Sequence, residues 1–274
     1  MSFFTSPKNT LPGYKWSLGY TLFWLFLVVL LPLGHLFILP FQSSLGQIWH
    51  VVSNDRFLAA LGITLGTALA AAGINLLLGT LVAWVLVRYP LKLKGLWDTL
   101  IDLPFALPTA VAGITLTTLL GPNSLIGGFF GQFGIKLAYH PIGIVIALVF
   151  VGFPFVIRCV QPVLLDMTQE VEEAAKSLGA SPSQIFRRIL FPEMWPAMLT
   201  GFTLAFARGI GEYGSVIFIS GNMPFRTEVV SLLIMTKLEQ HDPTGATTIA
   251  LFMLGLSFLI LWGLNYAQGR LQRG

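Results

Sequence analysis

The chain has 274 residues, of which 55% are hydrophobic and only 10% charged, with a mean hydropathy of +0.78. Soluble domains carry roughly a quarter charged residues, so a water-soluble globule is excluded and a polytopic membrane protein is implied. The net charge of +4 comes from cations scattered in short loops, without the basic stripe of a nucleic-acid surface, so no nucleic acid is expected as a partner.

A bilayer core about 30 Å thick takes roughly 20 residues of helix to cross. Six apolar stretches meet that length, which sets the expected fold class as an all-α polytopic membrane protein with lipid around it. Residues 1–16 precede the first stretch, residues 17–39, and one transmembrane domain is expected over 17–274. The apolar core of the first stretch is longer than a signal peptide's, and no small-x-small cleavage site follows, so it reads as a retained helix.

Residues 56–88 exceed one perpendicular crossing, which predicts tilt or an interfacial first turn. Gly62 and Gly66 form a GxxxG step there, permitting close helix approach. The third stretch, 99–120, contains Asp102, Pro104 and Pro108. Prolines remove backbone donors and bend helices, so a kinked span is expected, with Pro104 and Pro108 shaping the helix and Asp102 hydrated near its cytoplasmic end. Residues 121–139 are glycine-rich and read as an external loop or re-entrant piece. Residues 142–163, 197–219 and 247–267 supply three more spans. Residues 228–238 are too short to cross and predict an interfacial helix on the outer surface.

Lysine and arginine partition unevenly about these spans. One side holds Lys8, Lys15, Arg88, Lys92, Lys94, Arg158, Lys176, Arg187, Arg188, Arg270 and Arg273, and the other Arg56, Lys136, Arg226 and Lys237. The positive-inside rule assigns the richer side, and with it both termini, to the cytoplasm.

Residues 166–195 then form the largest cytoplasmic segment. Thr168 suits an N-cap, and Glu170, Glu172 and Glu173 favour the positive end of the helix that follows. Gly179 suits a left-handed C′ stop. Ser181, Pro182 and Gln184 form a second start with a capping box. Arg187 and Arg188 suit its C-terminus, and Pro192 is expected to close it. Two short helices at an angle result, with Leu178, Ile185, Phe186, Ile189 and Leu190 as an apolar face. That face either docks a partner or packs on the chain's own helix ends, and local chemistry does not choose.

Arg208 and Glu212 fall within the fifth stretch, where each ionisable group costs on the order of 3 kcal/mol to insert. Their spacing fits an i,i+4 ion pair with a structural or gating role. The other reading has Arg208 facing an aqueous path, although Glu212 argues against a simple anion site. Asn222 suits a helix stop or a contact to an external partner. His35, His50, His140 and His241 are dispersed, Cys159 is the single cysteine, and no metal-ligand spacing occurs. No G-x-x-x-x-G-K-[ST] loop is present to cradle nucleotide phosphates. No nucleophile–base set gathers at one depth. Neither an enzyme nor a bound cofactor is therefore expected. The absence of an internal repeat argues against an ion-coupled secondary transporter.

Glu173-Ala174-Ala175, then Gly179, then Ile189-Leu190-Phe191-Pro192 resembles the EAA motif of importer permeases in the ATP-binding cassette (ABC) class. Phe191 stands where leucine is usual. The segments 102–113 (DLPFALPTAVAG), 158–164 (RCVQPVL) and 211–222 (GEYGSVIFISGN) are similar to T-type permease subunits of bacterial sulfate/thiosulfate importers. The resemblance implies a type I importer architecture in a bacterial inner membrane, with Glu173–Pro192 coupling to an ATPase. It implies two copies of a cytoplasmic ATP-binding subunit that uses ATP and Mg, a second related permease, and an external sulfate-binding protein. A molybdate or tungstate permease acting as a homodimer is the alternative within the same class.

Overall fold

The computed structural model describes residues 13–36, 38, 44–167 and 169–271. Helix α1 (Tyr14–Gly34) buries none of its residues within this chain. Helix α2 (Leu45–Val52) begins at a capping box between Ser44 and Gln47. Helix α3 (Asp55–Arg88) runs 34 residues without interruption, about 51 Å at 1.5 Å per residue. Asn54 caps it directly by accepting from the Arg56 N–H.

The third span is broken rather than kinked. Helices α4 (Lys94–Ala106) and α5 (Thr109–Leu120) meet at 105°. Pro104 sits inside α4, whereas Pro108 makes the break. The proline ring drives Leu107 into an extended conformation, seen as ψ 133°. Around α7 (Pro141–Asp166), α4 packs Ile101 with Val160 and Leu164, while α5 packs Leu120 with Leu137 and Ala138 just before α7 begins. The bent pair thus reaches both ends of α7.

Residues 121–139 hold a short helix, α6 (Leu125–Gln132). Gly127 there abuts the Leu120 and Gly121 carbonyls too closely for any side chain.

Past α7 come α8 (Gln169–Ser177) and α9 (Pro182–Ile210), which is continuous for 29 residues. Pro192 therefore does not close the second helix. A π turn at Phe186–Leu190 precedes it, with the Phe191 N–H bonded to the Phe186 carbonyl. The wider turn accommodates the proline ring that would clash in an α-helix. A π turn at Phe26–Leu30 leads α1 past Pro32 in the same way.

The fifth span also departs from its expected limits. Helix α9 stops at Ile210, residues 211–213 are non-helical, and α10 (Gly214–Ser220) follows. Helix α11 (Val230–Glu239) packs one face into the fold. Its Val230, Leu232 and Leu233 join Phe57, Ile249 and Met253 in the largest core cluster. The Thr64 hydroxyl accepts from the Val230 N–H at 2.9 Å, which satisfies a backbone donor that would otherwise be orphaned at a buried helix start. Helix α12 (Pro243–Leu271) completes the chain.

The core is the triad α3, α7 and α9, and small residues set its spacing. Helices in lipid gain little from burying apolar surface and associate through close packing instead. An added Cβ on Gly79 would lie 2.8 Å from Val156 Cβ, and one on Gly201 would lie 2.6 Å from Val156 Cα. Gly152 packs against Asn75 and Ala205 in the same way. The Gly62–Gly66 step meets nothing within 4 Å, so the close approaches arise at other glycines.

Candidate coupling and pathway site

Helix α8, its turn and the start of α9 form a helix-turn-helix. Gly179 has φ +83°, a conformation that L side chains adopt only with strain. Its N–H donates to the Lys176 carbonyl at 2.9 Å and the Ala180 N–H to Ala175 at 3.0 Å, which ends α8. The Ser181 N–H then donates to Gln184 Oε1 at 2.7 Å, and Ser181 Oγ accepts from the Gln184 N–H at 3.3 Å. The Gly179 stop and the Ser181–Gln184 start read from the sequence are present. Thr168 lies outside the described residues, as do Lys8 and Arg273.

The apolar face divides in two. Leu178 is 89% exposed and Phe186 41%, and Glu173 and Ala174 are also exposed while Ala175 and Ile189 are half-buried. Ile185 and Leu190 are instead buried at 3% and 5%, because continuity of α9 turns them toward the bundle. The five apolar residues therefore do not present one outward surface. Pro192 is exposed on α9.

This element is tied to the end of α3. Arg88 Nη1 lies 2.5 Å from Glu172 Oε1 on α8, and its guanidinium sits 5.2 Å over the Trp84 ring. Trp84 in turn meets Phe186 of α9 edge-on at 5.8 Å.

At the other end of α9, Glu212 is 2% exposed. Its Oε1 accepts from both the Ser215 N–H and the Ser215 hydroxyl at 2.9 Å, so the carboxylate caps α10. Its other oxygen pairs with Arg208 Nη1, and the Ser231 hydroxyl donates to its carbonyl. The i,i+4 pair expected from spacing is present, and it straddles the break at 211–213. The break at Pro108 lies beside this one. An added Cβ on Gly113 would meet the Ser215 carbonyl at 2.5 Å, and one on Gly214 would collide with Thr109 Oγ1. Asn222 has φ +46° after Gly221 at +73°, and together they stop α10.

Two charged contacts and one buried amide were not legible in the sequence. Asp102 is not merely hydrated: Arg158 Nε and Nη2 fork onto its two oxygens at 2.8 and 2.7 Å. Arg158 also reaches Asp98 at 3.2 Å and Gln161 at 2.7 Å. Arg56 forks onto Glu228 at 2.8 and 2.7 Å. Asn75, fully buried beside Gly152 and Ala205, has no side-chain hydrogen-bond partner among the described residues. The two charged contacts join segments far apart in sequence, and only opposite charge hinted at them.

Residues 75–273 match the family described as binding-protein-dependent transport system inner membrane component. The sulfate transport system permease protein CysT of Salmonella typhimurium is 45% identical over 268 residues, 98% of this chain and 97% of that protein. Its Escherichia coli K12 counterpart is 44% identical over 271 residues, covering 99% and 98%. Among solved structures, a bacterial alginate ABC transporter aligns over 93% of each chain with a TM-score of 0.76 at 18% identity. The inward-facing MetNI methionine ABC transporter aligns over 84% of this chain and 99% of that one, with a TM-score of 0.59 at 19% identity. These structures speak to the fold, which is that of an ABC-importer permease. Taken with the broken spans and the capped helix-turn-helix, the matches establish that the chain belongs to the inner-membrane components of binding-protein-dependent transport systems, as a multi-pass ABC permease subunit rather than an enzyme.

Proposed function

We propose that this chain is one of two related permeases in an ATP-driven importer of sulfate and thiosulfate, forming half of the translocation pathway by alternating access. The observation that carries this is 45% identity across 98% of the chain to a protein named as a sulfate permease. The exposed Glu173, Ala174 and Leu178 support docking of the 173–192 element into a groove of a cytoplasmic ATP-binding subunit, present in two copies. ATP and Mg are used in that subunit, and this chain holds no cofactor. An external sulfate-binding protein delivers the anion, and closure of the ATPase pair switches the permeases between inward- and outward-facing states. The positive-inside rule places both termini in the cytoplasm.

For Arg208 and Glu212 the favoured role is a structural or gating pair. Both Glu212 oxygens are taken up by Arg208 and the start of α10, which leaves the pair to stabilise the joint at 211–213. Pro104 and Pro108 shape α4 and the break beside that joint. Asn222, at the end of α10, either serves only as a stop or also contacts the external binding protein.

The test is uptake of radiolabelled sulfate into vesicles carrying the whole assembly. ATP-dependent uptake that survives collapse of the proton gradient, with two permease types co-purifying, is the expected result. A single permease type with molybdate uptake would replace this reading by the homodimer, which the relatives' names do not favour. Uptake driven by the proton gradient without ATP would point to a secondary transporter. Arg208→Met is expected to impair opening and closing while sparing assembly, and unimpaired uptake would remove both roles for that residue.

A further inference from the structure

We propose that α3 is a rigid connecting rod latched at both membrane faces, with Arg88 and Arg56 the positioning residues that make the coupling element and the external segment 221–230 move together. This rests on the ATP-driven import reading.

The helix has the mechanical properties such a rod needs. Its interior contains no proline, and it is unbroken for 34 residues. Its neighbours are built otherwise: α7 carries Pro154 and Pro162 internally, α4 and α5 are bent by 105°, and α9 stops at the 211–213 joint. About 51 Å of helix exceeds a bilayer of roughly 40–45 Å including headgroups. Arg56 and Arg88, near its two ends, therefore lie at opposite faces.

Each end is held by a charged contact rather than by apolar packing alone. At the inner end, Arg88 grips both halves of the coupling element. It pairs directly with Glu172 of α8, the side chains being only 15% and 17% exposed, and touches Phe186 of α9 through Trp84. At the outer end, the Arg56 fork fixes two distances and a plane on Glu228, whose side chain is 0% exposed. Thr64, two turns along α3, accepts from the Val230 N–H. Buried ion pairs add little net stability over apolar packing, but they fix register. A forked guanidinium–carboxylate contact resists sliding where an apolar one permits it. Two charged contacts, the fork on Glu228 at one end and the single Arg88–Glu172 pair at the other, join an unbroken helix to both segments, so displacement passes in both directions.

The experiment uses the complete reconstituted importer, measuring sulfate imported per ATP hydrolysed and the stimulation of hydrolysis by external binding protein with bound sulfate. Arg88→Met is expected to let hydrolysis continue while import per ATP falls at least roughly tenfold, within the usual range of coupling between sites. Arg88→Lys should recover much of the loss, and the exchanged pair Arg88→Glu with Glu172→Arg most of it. Arg56→Met should abolish stimulation by the binding protein, and Arg56→Lys should retain it. Full coupling in Arg88→Met, or undiminished stimulation in Arg56→Met, overturns the proposal while leaving the importer reading intact. Should Arg88→Met fail to assemble, the exchanged pair decides, and its failure to assemble or couple overturns the proposal. Absence of ATP-driven uptake in the wild-type assembly would instead overturn the importer reading, and this proposal with it.

Discussion

Single residues set two of the helix boundaries, the end of α8 and the start of α12. At Gly179 the positive φ of +83° meets no steric obstacle within 4 Å, so only backbone strain opposes a side chain. Gly179→Val should cost about 1–3 kcal/mol locally, rotating α8 against α9. The expected outcome is normal insertion in the membrane with lost ATPase co-purification or uncoupled hydrolysis. Asp242 caps α12 similarly, its Oδ1 accepting from the Gly245 N–H at 2.8 Å. That bond, aided by Lys237 at 3.0 Å, holds the carboxyl below its ordinary pKa. A depressed carboxylate contributes stability above its unfolded pKa of roughly 4 and loses it as pH falls through the lower folded value. Asp242→Asn should therefore lower the Tm in detergent at pH 7, by about 1 kcal/mol of cap energy at most. The difference from wild type should shrink progressively below pH ~4, and a pH-independent difference would show that charge plays no part.

At the scale of elements, glycines govern how closely the central helices approach. In an exposed helix, Gly→Ala stabilises by roughly 1 kcal/mol. At Gly201 the opposite is expected, because the new methyl would lie 2.6 Å from Val156 Cα and backbone cannot step aside as a side-chain tip can. Gly201→Ala should destabilise by about 1–3 kcal/mol, visible as a lower thermal midpoint in detergent, whereas Gly62→Ala, facing open space, should not. The GxxxG spacing pointed to the wrong glycines because spacing does not reveal what stands opposite. Caps were readable for the contrary reason. Ser181, Gln184 and Gly179 act on backbone within a few residues, so their chemistry is complete in the local sequence. Pro192 misled because the π turn before it relieves the clash, and no residue in FRRIL announces that turn. The break at 211–213 was hidden likewise, since Glu212 supplies the cap from within an otherwise apolar run.

For the whole molecule, apolar length gave the spans and their order, but not which helices lie inside. Helix α11 is short and apolar enough to suit an interface, and nothing local in it announces that one face packs into the core beside Thr64 of α3. The inward turn of Ile185 and Leu190 is likewise a property of the assembled bundle. The orientation that follows from the lysine and arginine distribution has a direct test. With Cys159→Ser removing the single native thiol, Leu178→Cys should react with a membrane-impermeant maleimide in inside-out vesicles and stay unreactive in intact cells. Bound ATP-binding subunit should protect it. Labelling from the outer face would reverse the topology.

Helix α9 carries one more consequence. It passes from the Ser181 cap to Ile210 without a loop, so the two ends are one piece. In an importer driven through the 173–192 element, a push there would have no slack to take up before it reached the far tip. The first joint along that path is Gly211–Tyr213, braced by Glu212, and it lies beside the break at Pro108. Backlash would thus be absent where force enters and confined to where two broken helices meet.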